Sequence, residues 1–436
     1  MKKINIFLTT IFLLFTLTAC EDYIGGDNIN ADPNNPTSVP VAAQFPAIQI
    51  AMADNYVGDF ARFGTMLAQQ VEGVARQWVA FNQYTGLTPN RFDDAWQNVY
   101  ENILNEIKVA KASATESGLN HHLAMMEISE AFTLMIATDV WDDIPYSSGL
   151  QGIQEQNPAF DSQESIYNTI YSLLDSGISL LNGSAGPAAP GGEDVFYGGS
   201  AGSWIKAANA LKARGQLHQG NYAAAMSAAM ASFSSGAENM AFQYPDANTA
   251  GGWYRFNRDR TGDIEFHPQM RELMNSLGDT DRLAAFDQIF TTDHTFLVAN
   301  YSGELVTYRE MQFVIAECAF RSGDTATANT AYLNGIAASF DRVGTATSDA
   351  YITNPDVNPG EAGLTLEHIL TQKYIGLFAQ HEVYNDFRRT GIPALTPVSG
   401  TAVPVRWDYS SDEYLFNSNL QEGSVNIYTD KVGWNR

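Results

Sequence analysis

Apolar residues recur every three to four positions through the first two-thirds of the chain, and this spacing predicts amphipathic helices. One series places Phe60, Phe63, Leu67, Val71 and Val74 on one face of a helix. The other series are Phe92, Trp96, Val99 and Ile103; Met125, Ile128, Phe132 and Met135; and Ile166, Ile170, Leu173 and Gly177. The pattern predicts a mostly α fold in which these faces form the core.

Two segments have the pattern of helical hairpins. In the first, a helix containing Trp204 and Leu211 leads to the turn 219–221 (QGN), and a second helix follows from Tyr222. In the second, a helix ending after Cys318 turns at 322–324 (SGD) and continues through Ala331. A glycine turn with small residues at the crossing lets two helices pack closely, as in tetratricopeptide pairs. We therefore predict degenerate tetratricopeptide-type hairpins.

Long segments rich in Gly, Pro, Asn, Asp and Ser separate the helical patterns. They span residues 183–202, 234–265, 341–363 and 391–436. Loops of this length inside a compact domain usually carry function. The predicted architecture is a single helical domain that supports a loop-rich ligand-binding face.

The N-terminal residues have the pattern of an exported lipoprotein. Lys2 and Lys3 precede an apolar stretch over residues 4–17, and Leu17-Thr18-Ala19-Cys20 matches the bacterial lipobox. We predict that residues 1–19 are a signal peptide and that Cys20 is lipidated, which anchors the chain to a membrane. Residues 20–40 are predicted to form a flexible tether, and residues 41–436 the helical domain.

Composition excludes several classes of function. Of 436 residues, 49 are Asp or Glu and 24 are Lys or Arg, giving a formal net charge of −25. A surface this acidic repels phosphate backbones, so the sequence predicts no nucleic-acid binding. Two cysteines cannot make a disulfide framework, and no Cys/His spacing resembles a zinc site. We predict neither a metal nor a cofactor.

No motif predicts catalysis. Residues 198–202 (GGSAG) fit the G-x-S-x-G pattern of a hydrolase nucleophile elbow, but the helical context favours a glycine-rich helix entry. Asp259, Asp263 and Glu265 carry oxygens suited to calcium, but the twelve-residue calcium loop is missing. No acidic pair stands out as a glycosidase dyad. The sequence therefore predicts a binding protein and not an enzyme.

Aromatic residues in predicted loops are the candidate binding residues. Trp78 and Tyr84 lie between two helical patterns, and Trp253 and Tyr254 follow Gly251-Gly252 in another loop. A flat ring exposed on a loop offers a face to the C–H side of a sugar, while nearby Asn, Gln and Arg side chains can bind hydroxyls. We predict that these four rings are exposed and contact the ligand.

Several motifs, in order along the chain, resemble those of the SusD/RagB lipoproteins of Bacteroidetes. Residues 138–146 (TDVWDDIPY) resemble D-x-W-G-D-I-P-Y-S, with Asp142 where glycine is usual. Residues 194–199 (DVFYGG) and 204–214 (WIKAANALKAR) are similar to the family's glycine turn and W-x-K-F-A-N-S-L-K-L-R helix. Residues 308–317 resemble a later hairpin, and 384–393 (YNDFRRTGIP) resemble Y-N-D-W-R-R-T-G-Y-P.

The resemblance implies four degenerate tetratricopeptide-like pairs and a place on the outer membrane, above a SusC-like TonB-dependent transporter. It implies capture of a nutrient, expected to be an oligosaccharide or polysaccharide, and its delivery to that transporter. Peptide capture for oligopeptide uptake is the alternative within the family. A structural assembly scaffold and a glycosidase are further alternatives. The net charge disfavours acidic ligands unless Arg76 and Arg255 reverse the field locally.

Overall fold

Helices and the loops between them make up nearly all of the structure. The computed structural model describes residues 39–290 and 297–436. The predicted signal peptide, Cys20 and nearly all of the predicted tether lie outside these residues. The α-helices are α1 (Val41–Asn55), α2 (Ala61–Leu67), α3 (Gln77–Asn82), α4 (Asp93–Gln97), α5 (Asn105–Glu116), α6 (Asn120–Trp141), α7 (Gln163–Leu181), α8 (Ala201–His218), α9 (Tyr222–Met230), α10 (Gly252–Asp259), α11 (Pro268–Leu277), α12 (Thr280–Asp287), α13 (Tyr308–Ser322), α14 (Thr325–Arg342), α15 (Asp349–Ile352), α16 (Gly360–Gly363), α17 (Leu366–Gly376), α18 (Glu382–Thr390) and α19 (Ser411–Phe416).

The two predicted hairpins form as expected. Helices α8 and α9 pack against each other around a turn at Gly220, and α13 and α14 pack around a turn at Gly323. Both glycines have φ in the left-handed region, +75° and +84°, which ends the first helix of each pair without a side-chain clash. The 198–202 segment is a helix entry, because the Ser200 hydroxyl caps α8 by accepting from the Ser203 N–H. The mostly α, tetratricopeptide-like fold is confirmed.

Helix α6 is the centre of the core. Its predicted stripe of Met125, Ile128, Phe132 and Met135 is fully buried, and α7 packs along it. Gly177 on α7 permits this approach, since a Cβ there would lie 2.8 Å from the Ile128 side chain. The close packing of α6 and α7 explains why a glycine belongs in the α7 stripe.

Two π-helical turns interrupt the regular helices near the N-terminal end of the domain. The first, π1 (Tyr56–Phe60), joins α1 to α2, and the second, π2 (Asn98–Leu104), joins α4 to α5. One predicted stripe is wrong beyond Leu67, where α2 ends. Val71 lies instead in a strand, and Val74 is 39% exposed. The helical spacing of apolar residues continues to Val71 because this buried strand residue falls at a position that also fits the helical repeat.

Two small antiparallel sheets link distant parts of the chain. Strands β1 (Val71–Gly73) and β3 (Ile264–Phe266) pair with Val71 opposite Phe266. Strands β2 (Met240–Gln243) and β4 (Ser302–Val306) pair with Met240 opposite Val306. The first sheet brings the segment around Trp78 next to the segment around Trp253. The two predicted ligand-binding loops are therefore neighbours in the folded chain.

Candidate functional site

Three of the four predicted binding rings are buried, so the expectation that they are exposed is wrong. Trp78 and Tyr84 are 5% and 6% exposed, and Trp253 is 1% exposed. Trp78 lies on α3 and Trp253 on α10, so neither lies in a loop. Burying a large ring against other apolar groups gives a more favourable free energy than leaving the ring exposed to water and a ligand. Tyr254 is half-buried and packs against the same core.

The buried rings hold α10 in place. The Trp253 indole N–H donates to the Ala379 carbonyl at 3.1 Å. Trp78 meets the Phe256 ring edge-on, with 5.2 Å between centroids. Arg76 lies just before α3 and Asp263 just before β3, and the ion pair between them links these two parts of the chain. These contacts fix the position of α10, which forms one wall of a cleft.

A polar cleft of about 610 Å³ lies between this wall and the two π-helical turns. We call it the π-cleft. Its lining comes from α1, π1, α2, π2 and α10, and from Arg260. The lining residues are Ala51, Asp54, Asn55, Gly58, Asp59, Arg62, Asn98, Asn102, Gly252, Arg255, Phe256, Asp259 and Arg260. π-Helical turns occur often at functional sites because they displace side chains from the regular helical positions.

Backbone packing sets the position of α10 against π1. A Cβ added at Gly252 would lie 2.6 Å from the Gly58 Cα, so the two backbones are in direct contact. Across this contact, the Arg62 guanidinium lies 5.2 Å from the centroid of the Phe256 ring. Arg62 also pairs with Asp59. The only aromatic ring in the π-cleft lining is therefore already covered in part by Arg62.

Ion pairs balance the charge of the π-cleft. Three carboxylates and three guanidinium groups line it, so its formal charge is zero in a chain of charge −25. Asp54 pairs with Arg255 at 3.1 Å and accepts a hydrogen bond from the Tyr244 hydroxyl at 2.8 Å. Burial, with contributions from Tyr301 and Asp54, raises the pKa of Tyr244 well above its ordinary value, so its hydroxyl remains a donor. Arg255 and Arg76 are both paired with carboxylates, so they do not reverse the negative electrostatic field of the chain at this place.

Asn55 is the unusual residue of the π-cleft. It is 4% exposed, and neither its Oδ1 nor its Nδ2 has a hydrogen-bond partner among the described residues. A buried amide without partners is costly, because each unmade hydrogen bond forfeits free energy that water would have supplied. On the opposite wall, Asn102 donates to Asn98 at 2.7 Å. The π-cleft therefore combines balanced charges with three amide side chains, those of Asn55, Asn98 and Asn102.

The sequence did not predict these residues. Asp54, Asn55, Asn98 and Asn102 lie within helical segments, where polar residues ordinarily face solvent. The sequence signals that do fall in this region are the Gly251-Gly252 pair before Trp253, together with Arg255 and Asp259, which were considered above for other reasons. The carboxylates of Asp259, Asp263 and Glu265, the candidate calcium ligands, do not form a metal-binding group in the described residues. Asp263 is taken by Arg76 and Asp259 by Arg258, and the described residues contain no cluster of three metal-binding side chains.

The fold and sequence place the chain in a known family. A family described as SusD-like, "Starch-binding associating with outer membrane", matches residues 33–304 and 285–410. The chain belongs to the SusD-like family. No functionally curated protein matches it. In the part of this SusD-like chain that the structure covers, no helix has both the length and the apolar character needed to cross a bilayer.

Solved structures of other SusD-like proteins share the fold. A SusD/RagB family protein from Bacteroides thetaiotaomicron is 20% identical, with 91% of this chain and 99% of that chain covered at a TM-score of 0.72. A chitin-binding protein is 24% identical, with 91% and 100% covered at 0.73. A chitin-binding SusD homolog from Flavobacterium johnsoniae is 20% identical, with 91% and 98% covered at 0.71. At these identities the likeness establishes the fold.

Proposed function

We propose that this SusD-like chain is a cell-surface lipoprotein that captures an oligosaccharide in the π-cleft and delivers it to a SusC-like TonB-dependent transporter. The unpaired, buried amide of Asn55 is the observation that carries the choice of site. A sugar hydroxyl both donates and accepts hydrogen bonds, so it can satisfy the Oδ1 and the Nδ2 of Asn55 together. The charge balance of the cleft suits an uncharged ligand.

The family description and the two chitin-binding relatives support a glycan as the ligand class. We propose binding without turnover, and the anchor is the predicted lipid on Cys20. Trp78 and Trp253 then act by fixing the wall of the π-cleft, whereas the Tyr84 hydroxyl lies against Gln69 and Val398, away from this wall. Tyr254, the fourth predicted ring, is half-buried and does not line the π-cleft, so we propose no direct contact between it and this ligand.

Calorimetric titration of the full chain with a malto-oligosaccharide and a chito-oligosaccharide tests the ligand class. At least one should bind, and Asn55→Ala and Asn102→Ala should each weaken binding about tenfold through the loss of one or two hydrogen bonds. Asn209→Ala is the matched control, because Asn209 lies on α8 and donates only to its own helix. If the two cleft variants bind like the parent, the π-cleft is the wrong site.

Thermal stability separates binding from folding. Because the Asn55 amide has no partners in the described chain, Asn55→Ala should leave the melting temperature unchanged or raise it slightly. A marked drop in melting temperature would show a structural role instead. Binding of a peptide library without binding of either oligosaccharide would favour the alternative, oligopeptide uptake.

Membrane experiments test the anchor and the partner. Cys20→Ser should abolish labelling by a radioactive fatty acid and release the chain from the membrane. Affinity purification of the unsubstituted chain from outer membranes should recover a large β-barrel protein. Recovery of soluble proteins alone would contradict delivery to a transporter.

A further inference from the structure

Residues 433–436 (GWNR) lie against the end of α6 and the start of α7. We call this segment the strap. A cleft of about 560 Å³ runs beside it, and the other walls of this cleft come mainly from the start of α7 and the turn between α8 and α9. Three of the four strap residues line the cleft. The strap therefore has helices on one side and open space on the other.

Two buried side chains bind the main chain of the strap. The Gly433 N–H donates to Asp142 Oδ1 at 2.6 Å, and the Trp434 N–H donates to Gln163 Oε1 at 2.7 Å. Asp142 and Gln163 are each 3% exposed. A buried acceptor without a donor is costly, so these two oxygens need the strap or an equivalent segment.

The side chains of Trp434 and Arg436 also have matched partners. The Trp434 indole N–H donates to Asp139 Oδ1 at 2.8 Å, and its ring stacks on the His218 ring with 5.2 Å between centroids. Arg436 pairs with Asp142, the carboxylate that also binds the strap main chain. We call the surface formed by the end of α6, the start of α7 and the end of α8 the strap groove. It holds the strap by directional contacts, as a peptide site holds its ligand.

Asp142 has an unusual backbone conformation. Its φ is +72°, in the left-handed region that favours glycine, and it stands where the resembling motif has glycine. Its carboxylate faces Arg406 at 3.8 Å in addition to the strap. A strained residue persists where the surrounding structure or its function requires it, and such residues cluster at binding sites. The contacts of this side chain indicate that it is needed for the strap.

We propose that the strap groove is a peptide-binding site and that the strap is its exchangeable ligand, which leaves and returns while the rest of the chain stays folded. The site accepts a segment with a glycine, an indole ring and, two residues beyond the ring, a guanidinium group. Gln163 and Asp142 bind its main chain, Asp139 its indole, and Asp142 also its guanidinium group. The cleft beside the strap shares no lining residue with the π-cleft, so this site is independent of the proposed glycan site.

Hydrogen exchange in the unsubstituted full chain, measured by mass spectrometry, tests whether the strap leaves its groove. The strap amides should exchange at least about a hundredfold faster than amides in the middle of α6, because the strap opens while the fold stays closed. Exchange at the rate of α6 would show that the strap is a fixed part of the fold and would overturn the proposal.

A peptide added in trans tests recognition. The double variant Trp434→Ala/Arg436→Ala removes the ring and the guanidinium group from the strap, so its groove should bind a labelled peptide of residues 430–436 (DKVGWNR), measured by fluorescence anisotropy. The unsubstituted chain should bind this peptide at least about tenfold more weakly, since its own strap competes at a high effective concentration. Equal binding to both chains, or binding that survives replacement of the peptide's tryptophan by alanine, would contradict a specific site.

A variant outside the strap keeps the test valid if the double variant does not fold. In the otherwise unsubstituted chain, Asp142→Asn should speed hydrogen exchange of the strap about tenfold, because a neutral amide cannot pair with Arg436. Glu164→Gln removes an exposed carboxylate from the lining of the same cleft and should leave strap exchange unchanged. Strap exchange at the parent rate in Asp142→Asn would refute the recognition of the strap by Asp142 and, with it, the proposed site.

Discussion

Arg214 and Glu310 form a buried bidentate ion pair that joins the two tetratricopeptide-like hairpins. Arg214 Nε and Nη2 donate to the two Glu310 oxygens at 2.7 and 2.6 Å. Arg214 lies on α8 and Glu310 on α13, within two of the motifs that indicated the family. The pair therefore explains why an arginine ends the first motif and a glutamate follows Tyr308-Arg309 in the later one.

Removal of one partner should strongly destabilise the fold. Glu310→Ala removes the bidentate partner of a buried guanidinium and leaves only Glu382, 3.7 Å from Arg214 Nε, as its counterion. We expect a loss of about 3–5 kcal/mol in the free energy of unfolding, measured by urea titration. Asp175→Ala, which breaks the exposed pair with Lys212, should cost less than about 1 kcal/mol. The double variant Arg214→Met with Glu310→Leu should recover part of the loss. An equal loss in the single and the double variant would contradict this account.

His218 should make the fold less stable at alkaline pH. Its ring lies 2.6 Å from Glu382 and 3.2 Å from Asp139, and these carboxylates overcome burial and raise its pKa to about 9 from 6.5. Because the folded-state pKa is the higher one, the stabilisation is complete below pH 6.5 and is lost as the pH rises through 9. The melting temperature should fall across this window, and His218→Gln should flatten the fall. A parent profile that stays flat over the window would show that His218 is neutral.

Two other histidines should destabilise the fold in acid. Burial lowers the pKa of His267 and of His381 to about 4, so the unfolded chain takes up protons between pH 6.5 and 4 that the folded chain does not. We expect the melting temperature to decrease as the pH falls through this range. His267→Gln should reduce the slope. An unchanged slope in this variant would show that the pKa of His267 is not lowered by folding.

Trp253 should contribute to the stability of the fold. Trp253→Ala removes a fully buried ring and its hydrogen bond to Ala379, and we expect a cost of about 3–5 kcal/mol. Tyr254→Ala, at the adjacent half-buried position, should cost less than about 2 kcal/mol. Thermal melting of the two variants checks this difference. Unchanged melting of Trp253→Ala would mean that the ring is exposed after all.

The contact between Gly252 and Gly58 supplies a matched pair of substitutions. Gly252→Ala inserts a methyl group 2.6 Å from the Gly58 Cα, so α10 must shift, at a cost of about 1–3 kcal/mol and with weaker ligand binding. Gly58→Ala meets only the Arg62 guanidinium at 3.9 Å and should leave stability within about 1 kcal/mol of the parent. Similar melting temperatures for the two variants would contradict direct backbone contact.

Local signals predicted the scaffold. The hairpin turns are encoded at Gly220 and Gly323, each of which adopts a left-handed conformation, and all four residues of the predicted α6 stripe are buried. The site could not be predicted in the same way. The partner of the Trp253 indole is the Ala379 carbonyl, and Trp78 packs on Phe256, so their burial depends on residues far away in the sequence. The spacing of residues along the chain cannot identify contact partners that are so far apart in the sequence.

The π-helical turns account for the residues that were missed. Asn55 immediately precedes π1, and Asn98 begins π2, so their side chains leave the regular helical direction. A prediction that assumes 3.6 residues per turn therefore assigns these side chains to the wrong direction around the helix.

The meeting of Gly58 and Gly252 limits how this domain can diversify. Because main-chain atoms meet there in van der Waals contact, any side chain larger than a hydrogen atom at Gly252 would force the two segments apart. Changes in ligand preference must instead come from the polar groups of the π-cleft lining, such as Asn98 and Asn102. Substitutions at these positions can then change the lining of the π-cleft while the backbone contact between π1 and α10 stays the same.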